Sequence, residues 1–146
     1  MRFKDTKYGD LTNKIYKESI DFEGGVITSL EGSPKEVYHQ FNCRDNNLTS
    51  LKYAPFLIRG EFHCYNNPKI KNQKQQIIEN QIKAEYYYTD EGYFGFEEIK
   101  ERFEKYKNIL IKEKQEAEDK QKKLNYKKEV LSKIKNKKNT DYGLSF

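Results

Sequence analysis

Apolar and polar residues alternate in short bursts through the first seventy positions, and the bursts recur. Phe41-Asn42-Cys43 returns as Phe62-His63-Cys64, Ile27-Thr28-Ser29-Leu30 as Leu48-Thr49-Ser50-Leu51, and Pro34 as Pro55, each 21 residues later. Asn46-Asn47 returns as Asn66-Asn67, one residue short of that period. Period-two alternation predicts strands in which Phe41 and Cys43 point inward while Gln40, Asn42 and Arg44 point outward. The copies run over 20–40, 41–61 and 62–70, ungapped until Pro68, which inserts one residue.

A fixed period in the twenties predicts a solenoid, because each repeat buries its apolar edge on the next. The segment Tyr38-x-x-Phe41-x-Cys43-x-x-Asn46-x-Leu48 fits the template of leucine-rich repeats. The expected fold is α+β: a short leucine-rich-repeat-like solenoid of about two and a half 21-residue copies, a C-terminal aromatic and helical cap, and a long charged helix. Asn46 and Asn67 are expected to turn inward and bond backbone groups of adjacent turns that no sheet ladder satisfies. Ser33-Pro34 and Ala54-Pro55 fall on the return side, where proline favours extended or turn backbone over a long helix.

Two and a half copies fall short of the roughly three that a solenoid needs to stand alone, so both ends must add core. Residues 1–19 are the expected N-terminal cap, already following the repeat because Tyr16 lies one period before Val37. The solenoid proper spans 20–71, and 72–96 form the C-terminal cap. Within that cap, 72–84 reads as a short helix burying Ile77, Ile78 and Ile82. The aromatic run from Tyr86 to Phe96 reads as a plug over the last repeat with Asp90-Glu91-Gly92 as its turn, the alternative being a stacking surface for bases or sugars.

Residues 97–138 carry no Pro or Gly and read as one long helix, followed by a tail at 139–146 that either docks in trans or is disordered. Ile99, Phe103, Tyr106 and Leu110 share one face. The same heptad continues through Glu113, Ala117, Lys120, Leu124, Lys127, Leu131 and Ile134, a seam broken by charge.

Charge sharpens the division. Residues 1–72 hold 11 basic and 9 acidic side chains, a balance of +2, whereas 120–138 hold nine Lys and one Glu, a balance of +8. Such a run attracts nucleic acid or an anionic membrane, or more often simply keeps a helix soluble. Lys120, Lys122, Lys123, Lys127 and Lys128 are the candidate contacts for nucleic acid or an acidic partner. No apolar h-region follows Met1 and no apolar run reaches membrane-span length, so neither signal peptide nor membrane association is expected. Cys43 and Cys64 occupy core positions and are expected as reduced thiols of a cytoplasmic protein.

Candidate chemistry is sparse. His39, Cys43, His63 and Cys64 lack the spacing of a zinc site. No phosphate-cradling Gly loop or nucleophile motif is present, and the carboxylates of 97–119 lie among lysines at helical spacing. No cofactor, metal or catalytic residue is therefore expected. Surface remains: stacking aligns outward columns Ser19, Gln40 and Glu61; Asp21, Asn42 and His63; and Glu23, Arg44 and Tyr65. Gln40, Glu61, Asn42, His63, Arg44 and Tyr65 are the expected partner-binding residues, because such faces are where solenoids bind.

The copies EGSPKEVYHQFNCRDNNLTSLKYAP and FHCYNNPKI resemble a repeat of tailed-bacteriophage proteins, of the form G-x-F-x-C-S-N-N-x-L-T-S-L-E-G-A-P. They are also similar to the short leucine-rich repeats of secreted bacterial effectors. The resemblance implies a non-enzymatic phage protein in the cytoplasm of the infected cell that inhibits or redirects a host protein, such as a defence-system component. Phe22 and Gly25 stand where that pattern has Cys and Asn. Two alternatives accompany this expectation: a nucleic-acid-associated protein using the Lys-rich helix, and a virion or assembly component forming homo-oligomers through it.

Overall fold

The computed structural model describes residues 1–144 apart from Glu23, and for 138–144 the backbone alone. The chain is α+β, a parallel β-solenoid of about three turns followed by a long helix. Five short or medium strands build the stack: β1 (Ile15–Tyr16), β2 (Ile20–Asp21), β3 (Glu36–Val37), β4 (Phe41–Asn42) and β5 (Leu57–His63). They are followed by helix α1 (Gln73–Glu79), strands β6 (Lys83–Thr89) and β7 (Gly92–Gly95), and helix α2 (Phe96–Leu144). By compactness the chain divides into 1–106 and 107–146.

The expected register holds. Ile20 pairs with Phe41 and Phe41 with Phe62, while Tyr16 pairs with Val37 and Val37 with Ile58, all in parallel. Two strips therefore run up the stack, and the long strand β5 belongs to both. The second strip follows the prolines, whose fixed φ delivers the return segment already extended. Inward positions make a continuous core: Phe41 meets Phe62 at 6.0 Å and Phe62 meets Tyr87 at 6.4 Å, both edge-on. Such ring pairs add roughly 0.5–1.5 kcal/mol beyond the area they bury.

The asparagines do what the repeat requires. Asn46 Oδ1 accepts the Ile27 N–H (3.1 Å), and its Nδ2 donates to the carbonyls of Phe22, Cys43 and Arg44. One turn on, Asn67 Oδ1 accepts the Leu48 N–H (3.1 Å), and its Nδ2 donates to the carbonyls of Cys43, Cys64 and Tyr65. Asn67 is thus the partner of Asn46 at the full period, and the one-residue slip expected there does not occur. Asn66 instead replaces Asp45, with both in the left-handed region (φ 57° and 56°) that Asn and Asp tolerate. The inserted residue falls between Asn67 and Ile70, at Pro68 as expected, since Ile70 is buried where Lys69 is exposed.

Both ends are closed. At the start, Phe3 is fully buried against Phe22 (5.2 Å), and residues 1–4 run beside 28–31 through Phe3 N–H to Ser29 O and Lys4 N–H to Glu31 O. Gly32 makes room for this cap: its φ is +96°, and a Cβ there would lie 2.4 Å from Lys4 Cβ. Tyr8 Oη accepts the Asp21 N–H (3.0 Å) and donates to Asp21 O (3.1 Å), blunting the open edge of β2.

The far end corrects the sequence reading. Residues 72–84 are not one helix: α1 stops at Glu79, Gln81 takes φ +52°, and Lys83 already begins β6. The aromatic run does not merely plug the stack, because β6 adds another parallel level, with Phe62 pairing with Tyr87 and His63 with Tyr88. Only then does β7 fold back antiparallel. Tyr87 and Phe94 are the inward half, and Ile99 and Phe103 of α2 are buried with them. The packing face of α2 ends at the half-buried Tyr106; Leu110, expected on it, is 37% exposed.

From Lys107 to Lys137 every side chain is exposed except the half-buried Val130, and the helical backbone continues past Lys138 to Leu144. The expected tail at 139–146 is therefore helical as far as Leu144; Ser145 and Phe146 lie outside the described residues. No described helix is long and apolar enough to cross a membrane.

Candidate functional site

The register stacks Asp21, Asn42 and His63 as expected and adds Tyr88 as a further level. Gln40 is half-buried, with its N–H donating to Ser19 Oγ (3.3 Å). Asn42 is the exception to the expected binding set. It is 3% exposed, and its Oδ1 turns back to accept the Arg44 N–H (3.1 Å), so its amide is not offered to a partner. Arg44 and Tyr65 stay together, the guanidinium 5.8 Å from the ring centre. Glu23, at the foot of that column, lies outside the described residues.

Glu61 and His63 join residues the sequence reading did not place in the site. Tyr86 and Tyr88 point outward from β6, and Tyr93 stands opposite Tyr88 on β7. The His63 and Tyr88 rings stack at 4.3 Å and 4°, and Tyr65 flanks His63 at 5.9 Å. Tyr86, Tyr88 and Tyr93 meet pairwise at 5.6, 5.9 and 6.1 Å. The Tyr86 ring lies against Gly95, its partner on β7.

Glu61 anchors the cluster electrostatically. Its Oε2 accepts the Tyr88 hydroxyl (3.1 Å), and its Oε1 lies 3.4 Å from His63 Nε2. The hydrogen bond to Glu61, together with the nearby carboxylate charge, pushes the Tyr88 phenol above its ordinary value. Beside it, Glu61, Glu85, Tyr86, Tyr88 and Tyr93 line an open cleft of about 410 Å³. The tyrosines sit on paired strands, so the surface is fixed by the sheet rather than by a loop.

The tyrosines carried a signal. Tyr87-Tyr88-Thr89 is a degenerate Phe62-His63-Cys64, with a large apolar residue inward, a ring outward and a small residue inward. The four extra residues that hold α1 lengthen the offset from 21 to 25 and hide the match.

The other candidates behave differently. Cys43 and Cys64 are buried free thiols, and burial pushes both well above an ordinary thiol's pKa. His39 is exposed on the return side, and no group of three or more metal-ligating side chains comes together among the described residues. Lys120, Lys122, Lys123, Lys127 and Lys128 are all exposed on α2. Lys120, Lys123 and Lys127 share a face by their spacing, but so do Leu124 and Leu131, and Lys122 and Lys128 point elsewhere. The structure does not gather the five lysines into one patch. No protein-family model, no curated protein and no solved structure matches this chain.

Proposed function

We propose that this chain is a leucine-rich-repeat-like binding module, working without catalysis, that engages a protein partner through the outward face of its last two strand levels. The observation that carries the reading is the ridge Tyr65–His63–Tyr88–Tyr93, an aromatic surface held by paired strands. Tyr is a favoured interface residue because it offers large contact area for little entropy. The inward-turned Asn46 and Asn67 support the leucine-rich-repeat-like assignment. The resemblance of the repeats to those of tailed-bacteriophage proteins supports a partner in the infected cell, a host protein such as a defence component, inhibited by occlusion in the cytoplasm.

A second reading has its own observation: the eight exposed Lys against one Glu in 120–137 favour a nucleic-acid contact, with strongly salt-dependent binding. Affinity capture from bacterial lysate with nuclease present separates the two. The first reading expects one stoichiometric protein, lost with Tyr93→Ala and retained when Lys120, Lys122, Lys123, Lys127 and Lys128 are changed to Glu. Recovery that nuclease abolishes, or that falls with the lysines and not with Tyr93, overturns it.

A further inference from the structure

We propose that the cleft among Tyr86, Tyr88 and Tyr93 receives an arginine side chain of the protein partner, with Glu61 and Glu85 facing its guanidinium. This rests on the outward sheet face being the binding surface and names the chemistry it recognises.

The first argument is a contrast within the molecule. Elsewhere in the molecule several aromatic rings carry the chain's own cations: Arg59 over Tyr38 at 5.0 Å, Lys52 over Tyr53 at 5.0 Å, Lys7 over Tyr8 at 5.4 Å, and Lys83 over Phe96 at 5.1 Å. Among the described residues no Lys or Arg lies over Tyr86, Tyr88 or Tyr93. A ring face carries negative quadrupole potential, and a guanidinium satisfies it by stacking. The three tyrosines are therefore an aromatic cluster with no Lys or Arg of this chain over its rings, open to a cation from outside.

The second argument is charge. Two of the five residues lining the cleft are carboxylates and none is Lys or Arg. Among the described residues neither Glu61 nor Glu85 forms an ion pair with Lys or Arg, whereas Glu36 pairs with Arg59 at 2.6 Å and Glu31 with Lys4 at 3.2 Å. Glu61 is also oriented, since Tyr88 Oη holds one of its oxygens. Two carboxylates without a Lys or Arg partner repel the phosphates that accompany any stacked nucleobase, so the same rings are a poor platform for nucleic acid. A planar cation meets both requirements at once, stacking on a tyrosine face while its N–H groups reach a carboxylate.

The test titrates the full chain with N-acetylarginine methylamide, following tyrosine ring and backbone amide resonances by NMR. The uncharged isostere N-acetylcitrulline methylamide is the control and a ten-residue oligo-dT the competitor. Saturable shifts are expected at Tyr86, Tyr88 and Tyr93 in the millimolar range, about two- to fivefold weaker with citrulline, as expected for losing an exposed cation–π contact. Glu85→Gln, at an exposed position, should weaken the arginine response severalfold without moving the unfolding midpoint. Equal shifts with citrulline, or ring shifts with oligo-dT and none with arginine, overturn the proposal. Partner capture separates this from the reading beneath it. Capture lost with Tyr93→Ala but unchanged with Glu61→Gln/Glu85→Gln overturns the arginine and leaves the face standing. Capture indifferent to all three overturns the face, and the titration then decides the chemistry of the cleft alone.

Discussion

Residues 1–106 and 107–144 are built from the same alphabet to opposite ends. In the first, each inward side chain is covered by its equivalent on the next level, so that Phe41, Phe62 and Tyr87 are all fully buried. In the second, Leu124 and Leu131 recur at heptad spacing yet are 46% and 65% exposed. Their helix is supported by pairs along its own surface, such as Lys133 with Glu129 at 3.3 Å and Gln121 with Asn125 at 2.8 Å. Such pairs contribute only about 0.2–0.5 kcal/mol each. Periodicity alone does not make a core; the repeat must also meet a complementary copy of itself.

Mutations that break this contrast should rank accordingly. Phe62→Ala, in the middle of the ring stack, should cost about 4 kcal/mol of stability, read as a lower midpoint in urea. Asn67→Ala should cost about 3 kcal/mol, because it strands buried backbone groups on two turns. Its neighbour in pattern, the exposed Asn47, donates from its side-chain amide to Gly25 O at 2.9 Å, and Asn47→Ala should cost about 1 kcal/mol or less. The difference between those two asparagines measures the ladder itself.

Alkali should probe the first region selectively. Burial holds the Tyr87 phenol and both thiols above their ordinary values, so the folded chain keeps protons that the unfolded chain releases. Stability from this source is complete below about pH 8 and declines as pH rises through the unfolded values near 8.5 and 10. Urea midpoints taken from pH 7 to 10.5 should fall, and fall less in Cys43→Ala/Cys64→Ala. A thiol reagent at pH 8 should label both cysteines only at the rate of unfolding.

The smallest effect belongs to the second region. Leu124→Ala/Leu131→Ala should change stability by about 0.5 kcal/mol or less, with sedimentation unchanged. A loss of mass in that variant would show instead that the seam joins copies of the chain.

How far the sequence disclosed this depends on how local each cause is. The 21-residue offset, Asn46 and Asn67, and the outward columns were legible because the same residue types recur at the positions that pair. The β6 level was not, since the α1 insertion shifts Tyr87 by 25 residues from Phe62 and replaces Phe and Cys with Tyr and Thr. The sequence offered Tyr86, Tyr88 and Tyr93 as a plug or a stacking surface, but without that level nothing set them, or Glu85, beside Glu61 and His63. Asn42 looked outward from alternation, but its side chain bonds its own backbone two residues on. Leu110 fits the helical face of Phe103 and Tyr106, yet the core it would need ends a turn earlier.

Native-state amide hydrogen exchange on the full chain tests the central claim most directly. If stacked turns closed at both ends make one cooperative body, the amides of β4, β5 and β6 should exchange with a common, highest free energy. Amides from Lys107 to Lys137 should exchange orders of magnitude faster. Protection spread evenly along both regions, or β6 exchanging as fast as the exposed helix, would contradict the account.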